Sequence, residues 1–114
     1  MPASGTPSVT LDEFAKRERL TRVDLIKIDT DGYELQVLRG ARRMIAEHKP
    51  VIIFEWGQYV LRERGIDAAD FFRFFEDFDC RLINLTNRHV VTPENYRREI
   101  PGRSTTDVLV CFDG

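Results

Sequence analysis

Histidine and cysteine are scarce in this 114-residue chain, two of each, and the scarcity removes whole classes of chemistry. Cys80 and Cys111 stand apart in apolar, strand-like runs without metal-ligand spacing, which excludes a zinc site. The two thiols read as small core residues of a reducing compartment rather than as a disulfide. An excess of positive charge is also missing: 17 Lys and Arg face 19 Asp and Glu, for a net charge of −2. Neither nucleic acid nor an anionic membrane is therefore an expected partner. No apolar run approaches the ~20 residues that span a bilayer, and Met1 to Ser8 carries no basic segment leading into an apolar one. The expected location is cytoplasmic. Finally, no strand leads into a glycine-rich turn of the G-x-G type, the usual cradle for a nucleotide cofactor.

What is present is the pattern of a small α/β unit. Residues 1–8, rich in Pro, Ser and Gly, read as a flexible lead-in, and residues 9–114 as one domain. Thr10 and Glu13 have capping-box spacing, so a short helix is expected to about Arg19. Val23 to Asp29 is apolar apart from Asp24 and Lys27, the signature of a strand covered on both faces. Asp31-Gly32 makes a turn, and Tyr33, Val37, Leu38, Ala41, Met44 and Ile45 then recur at helical spacing, predicting one helix to His48 before Pro50. Val51 to Trp56 reads as a second buried strand, parallel to the first because a helix connects them.

A helical turn over Gln58 to Arg64 is expected to end at Gly65, and Asp67 to cap a helix whose Phe71, Phe74, Phe75 and Phe78 form a core stripe. Cys80 to Leu85 and Asp107 to Phe112 are the last two strands. The connection Thr86 to Thr106 is too long for a plain hairpin and reads as a lid-like or disordered loop.

In parallel sheets ligands bind at the carboxyl ends of the strands, which singles out Asp29 and Glu55. Lys27, two residues before Asp29, points to the same side. In a covered strand it would need a partner, Glu55 or Glu34, because an unpaired buried charge costs about 3–5 kcal/mol. Lys27, Asp29 and Glu55 together could transfer a proton or hold a hydroxylated substrate; alternatively they form a structural ion pair, with Asp29 capping the next helix and Glu34 favoured by its dipole. Asp29, Asp31 and Glu34 could also offer oxygens to a magnesium ion, although no His or Cys joins them. His89 and the arginines Arg88, Arg97, Arg98 and Arg103 in the long loop either meet an acidic substrate or simply face solvent.

The string from Val23 to Leu35, with Lys27-Ile28-Asp29 and Asp31-Gly32 inside it, then Val37-Leu38-Arg39-Gly40-Ala41 and Pro50 to Glu55, resembles the FkbM family of methyltransferases. The Thr10-Leu11-Asp12 helix start and the final strand fit the same pattern, so the resemblance runs from about Val9 onward. It implies the C-terminal part of a Rossmann-like methyltransferase sheet, parallel strands with an antiparallel last pair and helices on both faces. It also implies S-adenosylmethionine as cofactor and a hydroxyl of a sugar or secondary metabolite as acceptor. In that frame Asp29 and Glu55, with Lys27, line the catalytic crevice and Asp31 and Glu34 support it on the substrate side; His89 of the long loop is a further candidate for substrate binding. The part of the family domain that carries most cofactor contacts has no counterpart here, so two outcomes stand: a truncated O-methyltransferase, or a non-catalytic interaction module. The strand 23–29 would then present an uncovered edge, inviting self-association or a separate N-terminal half.

Overall fold

The computed structural model describes residues 9–113, so the expected lead-in over 1–8 lies outside the described residues. The chain runs α1 (Leu11–Arg17), β1 (Leu25–Ile28), α2 (Glu34–Arg39), α3 (Arg42–His48), β2 (Val51–Gly57), α4 (Gln58–Glu63), α5 (Ala68–Phe75), β3 (Cys80–Asn84), β4 (Val90–Val91), α6 (Tyr96–Glu99) and β5 (Thr105–Phe112). No described helix is long and apolar enough to cross a membrane.

Local signals account for several of these boundaries. The Thr10 side chain accepts from the Glu13 amide while Glu13 reaches back to the Thr10 amide, and Asp67 with Asp70 builds the same reciprocal cap on α5. Gly65 takes a left-handed φ of 71° just after α4, as a helix stop requires.

The helix expected over 33–48 is instead two. It breaks at Gly40-Ala41 because α1 docks there: the Asp12 amide donates to Gly40 O at 2.9 Å. The Asp12 carboxylate accepts from the amides of Arg43 at 2.9 Å and Met44 at 2.8 Å, capping α3 from another element. A side chain on Gly40 would sit 3.0 Å from the Thr10 Cβ, so glycine permits the approach. The long connection after β3 is also not a plain loop; it contains β4 and α6.

The five strands form one sheet in the order β1-β2-β5-β3-β4. As expected, β1 and β2 are parallel and β3 pairs antiparallel with β5. β5 enters between β2 and β3, antiparallel to both. Register places Ile26, Ile52, Val110, Leu82 and Val91 in one transverse row, every member buried. That face meets Leu35, Leu38 and Ile45 from α2 and α3, Leu61 from α4, and the α5 stripe of Phe71, Phe74 and Phe75 in a single core. Cys80 and Cys111 are free thiols, and burial pushes Cys80 up to about 11.

The next row, Lys27, Ile53, Leu109, Ile83 and Val90, faces the other way. Here the expectation for β1 needs correction: it is not buried on both faces but alternates, with Leu25 and Lys27 exposed and Ile26 and Ile28 buried. The helices' buried apolar side chains all join the one core, so the described residues leave the second face open. Leu25, Val51, Leu85 and Val90 along it are between 40% and 58% exposed.

Candidate functional site

β1 ends in a turn that a free peptide would not hold. Asp31 and Gly32 take φ of 53° and 105° in succession, a conformation only glycine and, less readily, Asp or Asn adopt. Glu34 fixes it. Its carboxylate, 2% exposed, accepts from the Thr30 amide at 2.8 Å and the Gly32 amide at 2.9 Å. Both Glu34 oxygens are thus committed to backbone, and the residue shapes the mouth from beneath.

Arg64 closes the turn from outside. Its guanidinium donates to Asp31 O at 3.2 and 2.9 Å and to the Tyr33 hydroxyl at 2.9 Å. It lies 4.0 Å over the Tyr33 ring. The space beside Gly32 is occupied by Arg64 and Val60, so any side chain there would collide with them. Nothing in the sequence singles out Arg64, which meets this turn only through the fold.

The turn and the end of β2 bring three carboxylates together. Asp29, Asp31 and Glu55 offer oxygens that all lie within 4.8 Å of one another, and Asp107 stands opposite Glu55 in the β2–β5 register. Glu55 consequently holds its proton more tightly than an ordinary glutamate. Burial is the first cause, followed by the like charges of Asp29, Asp107, Glu34 and Asp31. Such a set can accept hydrogen bonds from hydroxyls, take a proton, or ligate a hard cation of the magnesium type. The carboxylates close enough to share such a cation are Asp29, Asp31 and Glu55, not the expected Asp29, Asp31 and Glu34, because Glu34 is spent on the backbone.

Lys27 is not a buried partner of Glu55 or Glu34. It is exposed on the open face and, among the described residues, makes no ion pair. Its charge costs nothing there because water solvates it, which removes the premise that it needed a buried partner. It remains on the same sheet face as Asp29, two residues along the strand.

His89 lies elsewhere, at the β3–β4 turn across the sheet from β1. Its Nδ1 is 3.0 Å from Glu99, a carboxylate 5% exposed that also accepts from Asn84 at 3.2 Å and Asn87 at 3.0 Å. These bonds, led by those from His89 and Asn87, hold Glu99 down to about 2. Its contribution to stability is therefore full above the ordinary glutamate value near 4.5 and lost as pH falls toward 2. Denaturant unfolding followed from pH 5 to pH 2.5 is expected to show a steep loss of stability that Glu99→Gln flattens.

The strand order, the crossover from β1 to β2 and the acidic ends of both strands agree with a match to known families. Among curated proteins and among solved structures nothing matches the chain. The family model of the methyltransferase FkbM domain, in contrast, matches residues 4–82, which include β1, the Asp31-Gly32 turn, β2 and the start of β3. That span is more than half of the 114 residues, and the chain belongs to the FkbM methyltransferase family.

Proposed function

We propose that the mouth of β1 and β2 is the acceptor side of an O-methyl transfer from S-adenosylmethionine to a hydroxyl of a sugar or secondary metabolite. The observation that carries this reading is the trio Asp29, Asp31 and Glu55 at the ends of two parallel strands, with Glu55 raised toward a better base. The acceptor hydroxyl donates to Glu55, and its proton passes to a Glu55 oxygen as the hydroxyl oxygen becomes the nucleophile. Asp29 and Asp31 accept from neighbouring hydroxyls and fix the acceptor's orientation. Lys27, on the same face, offsets part of the accumulated negative charge.

The family implies S-adenosylmethionine, which supplies an electrophilic methyl group. The described residues do not fit it by themselves. Asp29 and Asp31 are exposed, and the one glycine of the β1 turn is packed against Arg64 and Val60 rather than open to a ligand. Calorimetric titration of the chain with S-adenosylmethionine is accordingly expected to give no heat, and micromolar binding would overturn the incomplete site.

The acceptor reading is tested by nuclear magnetic resonance titration with a panel of neutral sugars and polyols. Amides of Asp29, Asp31 and Glu55 should shift, and Glu55→Gln should weaken binding about 10- to 100-fold, the worth of one charge-assisted hydrogen bond. If no member of the panel moves those resonances, the acceptor role falls. The same substitution should make the protein more stable at pH 7. A carboxyl whose folded value is raised stabilises fully below about 4.5, and that benefit is lost as pH rises through the folded value. Glu55→Gln and wild type should therefore converge near pH 4.

A second reading, an interaction module, draws on the open sheet face and the free side of β1, which among the described residues pairs only with β2. A cavity of about 490 Å³ runs beside that edge, walled by Phe14, Leu20, Leu25, Ile26 and Met44. Exposed apolar strand edges recruit further chain. Sedimentation equilibrium from 5 to 500 µM should show mass increasing with concentration, reduced by Leu25→Lys; a monomer throughout that range counts against this reading.

A further inference from the structure

A second cleft opens on the helical side of the sheet. It holds about 560 Å³ between α4, the α4–α5 connection and α6, within the size range of small-molecule sites. Gln58 and Arg62 of α4 form one wall, and Tyr96 and Arg97 of α6 another, with Ile66 and Ala68 between them. Gln58 follows β2 directly. The cleft therefore lies at the same end of the sheet as Glu55, on the opposite side.

Its charge is what distinguishes it. Arg64, Arg73 and Arg98 are each tied to a partner: Arg64 to Asp31 O and Tyr33, Arg73 to Asp70, and Arg98 to Glu99. Among the described residues, Arg62 and Arg97 make no ion pair. The carboxylate that does line the cleft, Asp67, is occupied by the cap of α5. Two arginines thus line one cavity against a single carboxylate that is engaged at a helix cap, an excess of positive charge, and a guanidinium fork matches the oxygens of phosphate or carboxylate.

The wall beside them is preformed. The Tyr96 ring is held edge-on by Phe72 at 5.8 Å and carries Arg97 at 5.3 Å from its centroid. Gln58 is fixed by its amide donating to Ile100 O at 3.1 Å, which leaves its side-chain oxygen for a hydroxyl. A cationic pair beside an aromatic ring and an amide oxygen recognises an oxyanion attached to a hydroxylated carbon skeleton. The geometry points to a binding site for an organic phosphate or carboxylate in this cleft, a sugar phosphate or a sugar acid being the class it fits. The cleft shares no lining residue with Asp29, Asp31 and Glu55, so this is a second site, independent of the acceptor reading above.

The test titrates the labelled chain with a hexose phosphate, a hexuronic acid, the neutral hexose and inorganic phosphate, each alone. The hexose phosphate or the hexuronic acid should shift the resonances of Gln58, Arg62, Tyr96 and Arg97. Arg62→Ala and Arg97→Ala should each weaken that binding about tenfold or more. Both side chains are exposed, and an unchanged amide spectrum in the absence of ligand checks the fold of each variant. The site is refuted if neither acidic sugar binds, if binding survives both substitutions, or if inorganic phosphate binds as tightly as the acidic sugars. Because the readout is at Arg62 and Arg97, it separates from the acceptor reading, whose failure would appear at Asp29, Asp31 and Glu55 with the neutral panel.

Discussion

Glu34→Ala is expected to cost about 3–5 kcal/mol and to scatter the carboxylates at the β1 mouth. The substitution removes two charge-assisted hydrogen bonds, from Thr30 and Gly32, and leaves both amides without a partner in a site that water reaches poorly. Each such bond contributes about 1.5–3 kcal/mol, and a buried orphan donor adds its own desolvation cost. For a domain with a total stability of about 5–15 kcal/mol this is a large fraction. Asp31 and Gly32 would then lose the left-handed geometry that Glu34 holds. Urea unfolding measures the first effect. The second shows as a fall of the Glu55 carboxyl toward the ordinary value, because Asp29 and Asp31 no longer stand beside it and the charge on Glu34 is gone. Glu34→Gln should lie between, since an amide oxygen can still accept one of the two bonds. A Glu34→Ala protein as stable as wild type would show that Arg64 alone suffices to hold the turn.

Trp56→Ala should be about as damaging, on the order of 3–5 kcal/mol. Trp56 is fully buried at the centre of a ring cluster, with centroids 4.8 Å from Phe71, 5.6 Å from Phe72 and 5.9 Å from Phe54. Removing the indole leaves a cavity that β2 and α5 cannot close without moving, because their backbones are fixed by the sheet and by the Asp67 cap. Trp56→Phe discriminates packing from polarity. The indole Nε1 is buried without a hydrogen-bond partner, so phenylalanine removes an unsatisfied donor while losing part of the volume, and the two effects oppose. The expected result is a loss well below that of Trp56→Ala, read as the difference in urea midpoint. Equal losses would place the cost in the indole itself rather than in the cavity.

Much of the chain's architecture could be read along the sequence because the signals are local. Thr10 with Glu13 and Asp67 with Asp70 cap helices across three residues, and hydrogen bonds of that reach do not depend on the rest of the fold. The phenylalanine stripe marks the buried side of α5 at helical spacing, and the helical segment between β1 and β2 requires that the two strands run parallel. Asp29 and Glu55 were legible as candidate site residues for the same reason: parallel neighbours place their carboxyl ends side by side.

What escaped that reading depends on residues far apart in the chain. The break at Gly40 follows from Asp12, whose carboxylate competes successfully for the amides of Arg43 and Met44, and no helical periodicity records that competition. Likewise, β4 and α6 form within the 86–106 connection because buried Glu99 gathers Asn84, Asn87 and His89, which are individually unremarkable polar residues. Lys27 departs from expectation for a related reason. Whether a charge on a strand needs a partner depends on what covers the face, and apolar neighbours in sequence do not report that.

The acidic mouth divides along the same line. Sequence alone determined that a strand, an Asp31-Gly32 turn, a helix and a second parallel strand follow one another, and that acidic residues stand at both strand ends, because those features are set by spacing and local backbone preference. Only the tertiary structure decided which carboxylates meet. It turned Glu34 inward to the Thr30 and Gly32 amides, brought Arg64 over the turn and set Glu55 beside Asp29 and Asp31. The physical reason is that a hydrogen bond or a charge repulsion acts through a few ångströms of space, whatever the number of residues between its partners.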